Sequence, residues 1–150
     1  DNIIDKITTK VVNNELRFTL KKGNYHDISL NVNIKTPRLN SLKNSGSGEI
    51  YANNIDEQNS FRIENTGSGN IYLEGKANSL FVENEGSGSV LGFGFVVEDC
   101  TVEIDGSGNL EIHTTDKLDV EIDGSGSVFY KGNPIINSDI NGSGQILNRN

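Results

Sequence analysis

Of the 150 residues, one is cysteine (Cys100), none is methionine or tryptophan, and two are proline, Pro37 and Pro134. A lone cysteine excludes an internal disulfide framework and any zinc cluster built on cysteines. No apolar run approaches the roughly 18 residues that a membrane-spanning helix needs, so no membrane span is expected. Cations are scarce: 13 Lys and Arg stand against 21 Asp and Glu, a net charge of −8. A chain this acidic repels phosphate, which argues against nucleic acid and against an anionic lipid surface as partners. Blocks of helix formers are missing, because glycine, asparagine and β-branched residues fill the space. That excludes a helical bundle. The chain begins at Asp1 without a leader, and with no methionine anywhere it reads as a trimmed piece.

What the chain does have is a repeat. Gly-Ser-Gly occurs six times, beginning at Gly46, Gly67, Gly86, Gly106, Gly124 and Gly142, at steps of 21, 19, 20, 18 and 18 residues. A period near 20 is too short for a two-helix repeat and suits a solenoid coil of short strands and corners. Four residues after each first glycine stand Ile50, Ile71, Val90, Leu110, Val128 and Ile146. Six before it, from the second copy on, stand Phe61, Leu80, Cys100, Leu118 and Ile136. Four before it stand Leu42, Ile63, Val82, Val102 and Val120, with Ser138 breaking the series. Residues between these columns are mostly polar. Period-two alternation of this kind marks strands with one buried face.

Equivalent strands of successive coils must then pair in parallel, about 4.8 Å apart. The expected fold is all-β: a right-handed parallel β-helix (β-solenoid) with coils of about 18–21 residues marked by Gly-Ser-Gly corners. Glycine is expected at the corner for its access to positive φ, and serine for a hydroxyl that bonds nearby backbone. Two residues before the tripeptide stand Asn44, Asn65 and Asn84, followed by Ile104, Ile122 and Ile140. Stacked amides in an inward phase are read as structural, bonding one another and the corner backbone. Cys100, between Leu80 and Leu118, is read as an inert buried thiol. Residues 45–150 form the regular coils of a single domain. Residues 1–44 supply N-terminal strands and a cap: Leu16, Phe18 and Leu20 alternate, as do Leu30, Val32 and Ile34. A solenoid end needs such a cover against edge pairing.

Several runs resemble one family. They are Asn33-Ile34-Lys35-Thr36-Pro37-Arg38-Leu39 leading to Ser45-Gly46-Ser47-Gly48, the Ile-Asp-Gly-Ser-Gly at 104–108 and 122–126, Tyr130-Lys131-Gly132-Asn133-Pro134, and the opening Asn2-Ile3-Ile4-Asp5-Lys6-Ile7. Together they are similar to the head GIN domain of "putative autotransporter adhesins" (the DUF2807 family), across essentially the whole chain. The resemblance implies a right-handed β-helix of the Bacteroidetes type. It also implies secretion or placement in the cell envelope, periplasmic or surface-exposed, with lipoprotein anchoring through a leader outside this stretch. It carries no catalytic residues over.

The chemistry-bearing residues are few. His26 and His113 lie in no triad or metal spacing, Arg occurs only at 17, 38, 62 and 149, and no phosphate loop follows any Gly-Ser-Gly. No catalytic residue and no cofactor are expected, and the chain is read as no enzyme. An outward acidic column holds Glu64, Glu83, Glu103, Glu121 and Asp139, with Glu85, Asp105 and Asp123 beside it. Carboxylates one coil apart repel, and incidental calcium at Glu83, Glu103 and Glu121 would relieve this. The simpler reading is a solvated acidic face. A second outward column, five residues after each first glycine, holds Tyr51, Tyr72, Leu91, Glu111, Phe129 and Leu147. Aromatic residues stacked along a flank suit a sugar, a protein partner or a homo-oligomer seam. The expected function is a secreted or surface-displayed binding or adhesion module that meets a protein or glycan through Tyr51, Tyr72 and Phe129. The alternatives are a carbohydrate-binding or polysaccharide-degrading β-helix, and a structural spacer of a larger envelope protein.

Overall fold

The structure is a computed structural model that describes residues 3–26 and 29–150. Asp1, Asn2, Asp27 and Ile28 lie outside the described residues. The chain gathers into two compact units, Asp1–Lys35 and Thr36–Asn150.

In the first unit a 3-10 turn, Ile4–Lys6, leads into β1 (Ile7–Val12), which pairs antiparallel with β2 (Glu15–Leu20). The hairpin turns at Asn13 and Asn14, with φ of 51° and 64°. Consecutive left-handed residues match the twist of a two-residue hairpin, and asparagine tolerates that region. Leu30, Val32 and Ile34 alternate in the sequence but lie in no strand. Alternation selects a face, and a strand additionally requires a neighbour for its backbone bonds.

The second unit is a parallel β-solenoid of about six turns. It is built from β3 (Ser41–Asn44), β4 (Ile50–Asn65), β5 (Ile71–Asn84), β6 (Val90–Ile104), β7 (Leu110–Ile122), β8 (Val128–Lys131), β9 (Ile135–Ile140) and β10 (Ile146–Asn148). Each pairs in parallel with its copy one coil away: β3 on β4, β4 on β5, β5 on β6, β6 on β7, β7 on β8 and β9, and β8 on β10. The long strands run through what the sequence pattern suggests is a loose turn, with register shifts absorbing the unequal coil lengths. One lies between Ala52 and Ile55, another between Gly92 and Val96.

The columns are in register. Ile50, Ile71, Val90, Leu110, Val128 and Ile146 form one inward row, and Phe61, Leu80, Cys100 and Leu118 form another, which continues in register to Ile136, exposed in the last coil. Phe61, Ile63, Ile71, Leu110 and Ile122 are fully buried. The distal side of the coil adds Phe95, whose ring meets Phe61 at 5.5 Å between centroids. Cys100 is buried in this row, and burial pushes its thiol pKa up, with the Asp119 charge adding to it. A thiol so placed stays protonated and unreactive.

The tripeptides lie over one another. The Ser68 N–H donates to Gly46 O at 3.1 Å, Gly88 N–H to Gly67 O at 3.2 Å and Ser143 N–H to Gly124 O at 3.1 Å. The reason for glycine differs from the expectation. Among the described glycines, φ is positive only at Gly75 (137°) and Gly132 (96°). The tripeptide glycines are required because the coils approach too closely for a Cβ. A Cβ on Gly67, Gly86, Gly106, Gly124 or Gly142 would sit 2.0–2.2 Å from a glycine carbonyl oxygen of the preceding coil. Gly46, in the first coil, has no such neighbour; its nearest atoms lie at 3.9 Å. The serine hydroxyls of the tripeptides make no hydrogen bond among the described residues; their backbone amides carry the stack.

Candidate functional site

The three asparagines are buried in a single column, Asn44 over Asn65 over Asn84. Asn44 Nδ2 donates to Gly48 O at 3.2 Å and to Gly69 O at 3.1 Å, while its Oδ1 accepts from Gly46 N–H at 3.1 Å. Asn65 Nδ2 donates to Asn84 Oδ1 at 3.3 Å and to Gly88 O at 3.0 Å, and Asn84 Nδ2 also reaches Gly88 O at 3.0 Å. These amides tie each corner to the next. Among the described residues, Asn65 Oδ1 alone is left buried without a partner. Nothing in this arrangement is open to a ligand.

The acidic column lies on the face that begins at Lys43. Lys43, Glu64, Glu83, Glu103, Glu121 and Asp139 follow one another coil by coil. Its lower end is neutralised: Lys43 Nζ lies 2.5 Å from Glu64, Arg62 lies 2.9 Å from Glu64, and Arg62 lies 2.6 Å from Glu83. Hydrogen bonds from Lys43 and then Arg62 hold the Glu64 carboxyl below its ordinary pKa. On the adjacent column Lys117 and then Asn137 do the same for Asp119. Among the described residues no three His, Cys, Asp or Glu side chains converge on a point that would hold a metal ion. A column spreads Glu83, Glu103 and Glu121 one coil apart and side by side, which separates carboxylates that a cation needs gathered.

The aromatic flank is different. Tyr51, Tyr72, Leu91, Glu111, Phe129 and Leu147 are in register along it. Their chain neighbours Ile71, Leu73, Val90, Leu110, Ile112 and Val128 are buried, so the pleat sends this column outward. Tyr51 is 67% exposed. Its ring lies 4.5 Å from that of Tyr72 with 3° between the planes, a stack imposed by the spacing of parallel strands. Glu49 ties the two together, accepting from Tyr51 Oη at 2.7 Å and from Tyr72 Oη at 3.4 Å. The Glu49 hydrogen bond first, then desolvation, pushes the Tyr51 pKa up to about 12. The phenol therefore stays a neutral donor across the physiological range.

Phe129 does not join that stack, because Leu91 and Glu111 lie between. Instead, the Arg149 guanidinium sits 4.8 Å above its ring centroid, and Lys131 Nζ sits 4.8 Å from that of Phe93. Sequence reasoning passed over Glu49, Phe93, Lys131 and Arg149. All lie at odd offsets from the corner, and the outward phase of Tyr51 was sufficient to find them. It also passed over Glu57, which is buried in an inward position and lies 3.6 Å from Arg38. That ion pair ties the segment entering the first coil to the coil's distal side.

The solenoid thus buries its aliphatic and asparagine columns and carries one stacked tyrosine pair, Tyr51 and Tyr72, on an outward column. The chain belongs to the family described as "Putative auto-transporter adhesin, head GIN domain", whose model matches residues 1–134. Its fold is similar to the crystal structure of a "putative adhesin" from Bacteroides fragilis, with a TM-score of 0.73 and 22% identity, covering 98% of this chain and 78% of that one. No protein curated for function matches the sequence. The family is adhesin-like and associated with the cell surface or envelope. No helix among the described residues is long and apolar enough to cross a membrane.

Proposed function

We propose that this chain is a non-enzymatic adhesion module, displayed at the cell surface or envelope, that binds a protein or glycan through the Tyr51, Tyr72 and Phe129 flank. The observation that carries this reading is the Tyr51–Tyr72 stack, held parallel at 4.5 Å on an exposed flank and pinned by Glu49. Exposed rings are usually mobile, and ordering them costs entropy when they bind. Here the parallel strands have fixed both rings in advance, and pre-organisation of this kind converts contact area into affinity. A few aromatic anchors are expected to carry most of the binding energy.

The test is a comparison of wild type with a Tyr51→Ser, Tyr72→Ser, Phe129→Ser variant on a glycan array and on immobilised extracellular-matrix proteins. All three side chains face outward, so the variant should keep the circular-dichroism spectrum of the parent. Every ligand held by wild type should lose about tenfold or more in affinity. Undiminished binding by the variant contradicts the assignment.

A further inference from the structure

Ten of the tripeptide glycines have a reason in the chain's own fold: a Cβ on any of them would stand 1.9–2.2 Å from a carbonyl oxygen of the preceding coil. Gly46 and Gly48 have no such reason. A Cβ on Gly46 would meet only atoms at 3.9 Å, and one on Gly48 would meet nothing within 4 Å. Neither residue has a positive φ. The first corner is thus shaped to receive a coil, and within Thr36–Asn150 no strand supplies one: β3 pairs only with β4, and residues 50–52 of β4 pair only with β5. The last coil is its counterpart. Among the described residues β9 pairs only with β7, and β10 only with β8. All of β9 is exposed, although Ile136 and Ile140 continue the inward columns of Leu118 and Ile122.

From this we infer that the chain stacks head to tail, the first coil of a second copy resting on the last coil of the first and continuing the solenoid. The two ends match residue for residue. Extending each column by one step sets Ser41–Asn44 of the second copy over residues 137–140, its Gly46-Ser47-Gly48 over Gly142-Ser143-Gly144, and its residues 50–52 over Ile146–Asn148. The sequence offset is constant throughout, so no register shift interrupts the join. Leu42 of the second copy then covers Ser138, its Ile50 covers Ile146, and its Tyr51 ring lies over Leu147. Its Lys43 lies over Asp139, which joins no ion pair among the described residues. Lys43 already bonds Glu64 of its own chain, and an ammonium has further N–H donors to give. Open parallel edges supply the backbone bonds, as in strand addition. A two-fold joining of last coil to last coil would leave Gly46 and Gly48 without a reason. Because the contact uses different patches on the two copies, it propagates into a filament, rising six coil steps, about 29 Å, per copy. The inference goes beyond the adhesion reading and does not rest on it; such a filament would repeat the aromatic flank along a rod.

The experiment is sedimentation velocity of the 150-residue chain over a range of concentrations, with two variants that each block one end. Gly46→Ala with Gly48→Ala adds a methyl group at each position of the first corner, where the monomer has room for it. Ser138→Lys places a charge on the exposed rim of the last coil, where Leu42 of a second copy would sit. Wild type should form a ladder of species that lengthens with concentration. Each variant alone should keep the parental circular-dichroism spectrum and sediment as a monomer, its association weakened about tenfold or more. An equimolar mixture should give a one-to-one dimer and nothing larger, because it offers one open first coil and one open last coil. A wild type that stays monomeric at all concentrations overturns the proposal. So does a glycine variant that assembles as wild type does, or a mixture that stays monomeric or grows past the dimer.

Discussion

Gly86→Val is expected to unfold most of the solenoid, whereas Gly46→Val should fold with near-parental stability. At Gly86 a Cβ would stand 2.0 Å from the Gly67 carbonyl oxygen, with Gly67 C and N at 3.0 Å. No rotamer relieves this, because the clash involves the Cβ itself and the atoms below it are backbone. The coils would have to separate, and that separation would break the Gly88 N–H bond to Gly67 O. The Asn65 amide bond to Gly88 O, which also crosses between coils, would be lost with it. A cost of about 4 kcal/mol or more is expected, at the extreme of single substitutions. Gly46 belongs to the same motif but has open space where the preceding coil would lie, and its substitution should cost within about 0.5 kcal/mol. Urea unfolding of the two variants measures the contrast. Equal losses at both positions would show that local turn geometry, rather than coil contact, sets the requirement.

Asn65→Asp comes next in size. The side chains are nearly isosteric, so packing is preserved and chemistry alone changes. Asn65 is fully buried and gives two hydrogen bonds, to Asn84 Oδ1 and to Gly88 O. An aspartate has no proton to give either acceptor and adds a charge without a cation nearby. The expected loss at pH 7 is about 3–5 kcal/mol. The pH dependence has a definite sign. Burial and two facing oxygens raise the folded-state pKa of the new carboxyl above its unfolded value. Protonation therefore favours the folded chain: stability is greatest below the unfolded pKa and falls as pH rises through the folded one. Thermal melts of the variant should show a midpoint that climbs on acidification relative to the parent. A pH-independent difference would mean that the amide ladder does not supply the bonds assigned to it.

The solenoid was legible because its coils are nearly equal. Counting from each Gly-Ser-Gly places Ile71, Val90, Leu110 and Val128 in one buried row and Tyr51 with Tyr72 on the opposite side of the pleat. Counting fails where coils differ in length. Between Gly92 and Val96 the register shifts, so Phe95 enters the core at a position that no offset from the corner identifies. Glu57 hides for the same reason, since a glutamate beyond a register shift reads as surface. The corner glycines were placed correctly but explained wrongly: a tripeptide shows that glycine is needed, while only the stacked backbone shows that carbonyl contact, not positive φ, is why. At Leu30, Val32 and Ile34 the pattern was present and the partner strand was not. On the flank, the row of aromatics was visible, but the Glu49 bridge and the cations over Phe93 and Phe129 depend on side-chain reach across coils.

The central claim is that each Gly-Ser-Gly lies one strand spacing above the last. Spin labels on cysteines introduced at Ser47 and Ser143, both exposed corner positions, test it directly. The buried thiol of Cys100 leaves the labelling specific. Five coil steps predict about 24 Å between the label sites by double electron–electron resonance. If the tripeptides were instead tips of successive antiparallel hairpins, each step would span two strands, and a distance near 48 Å would contradict the account.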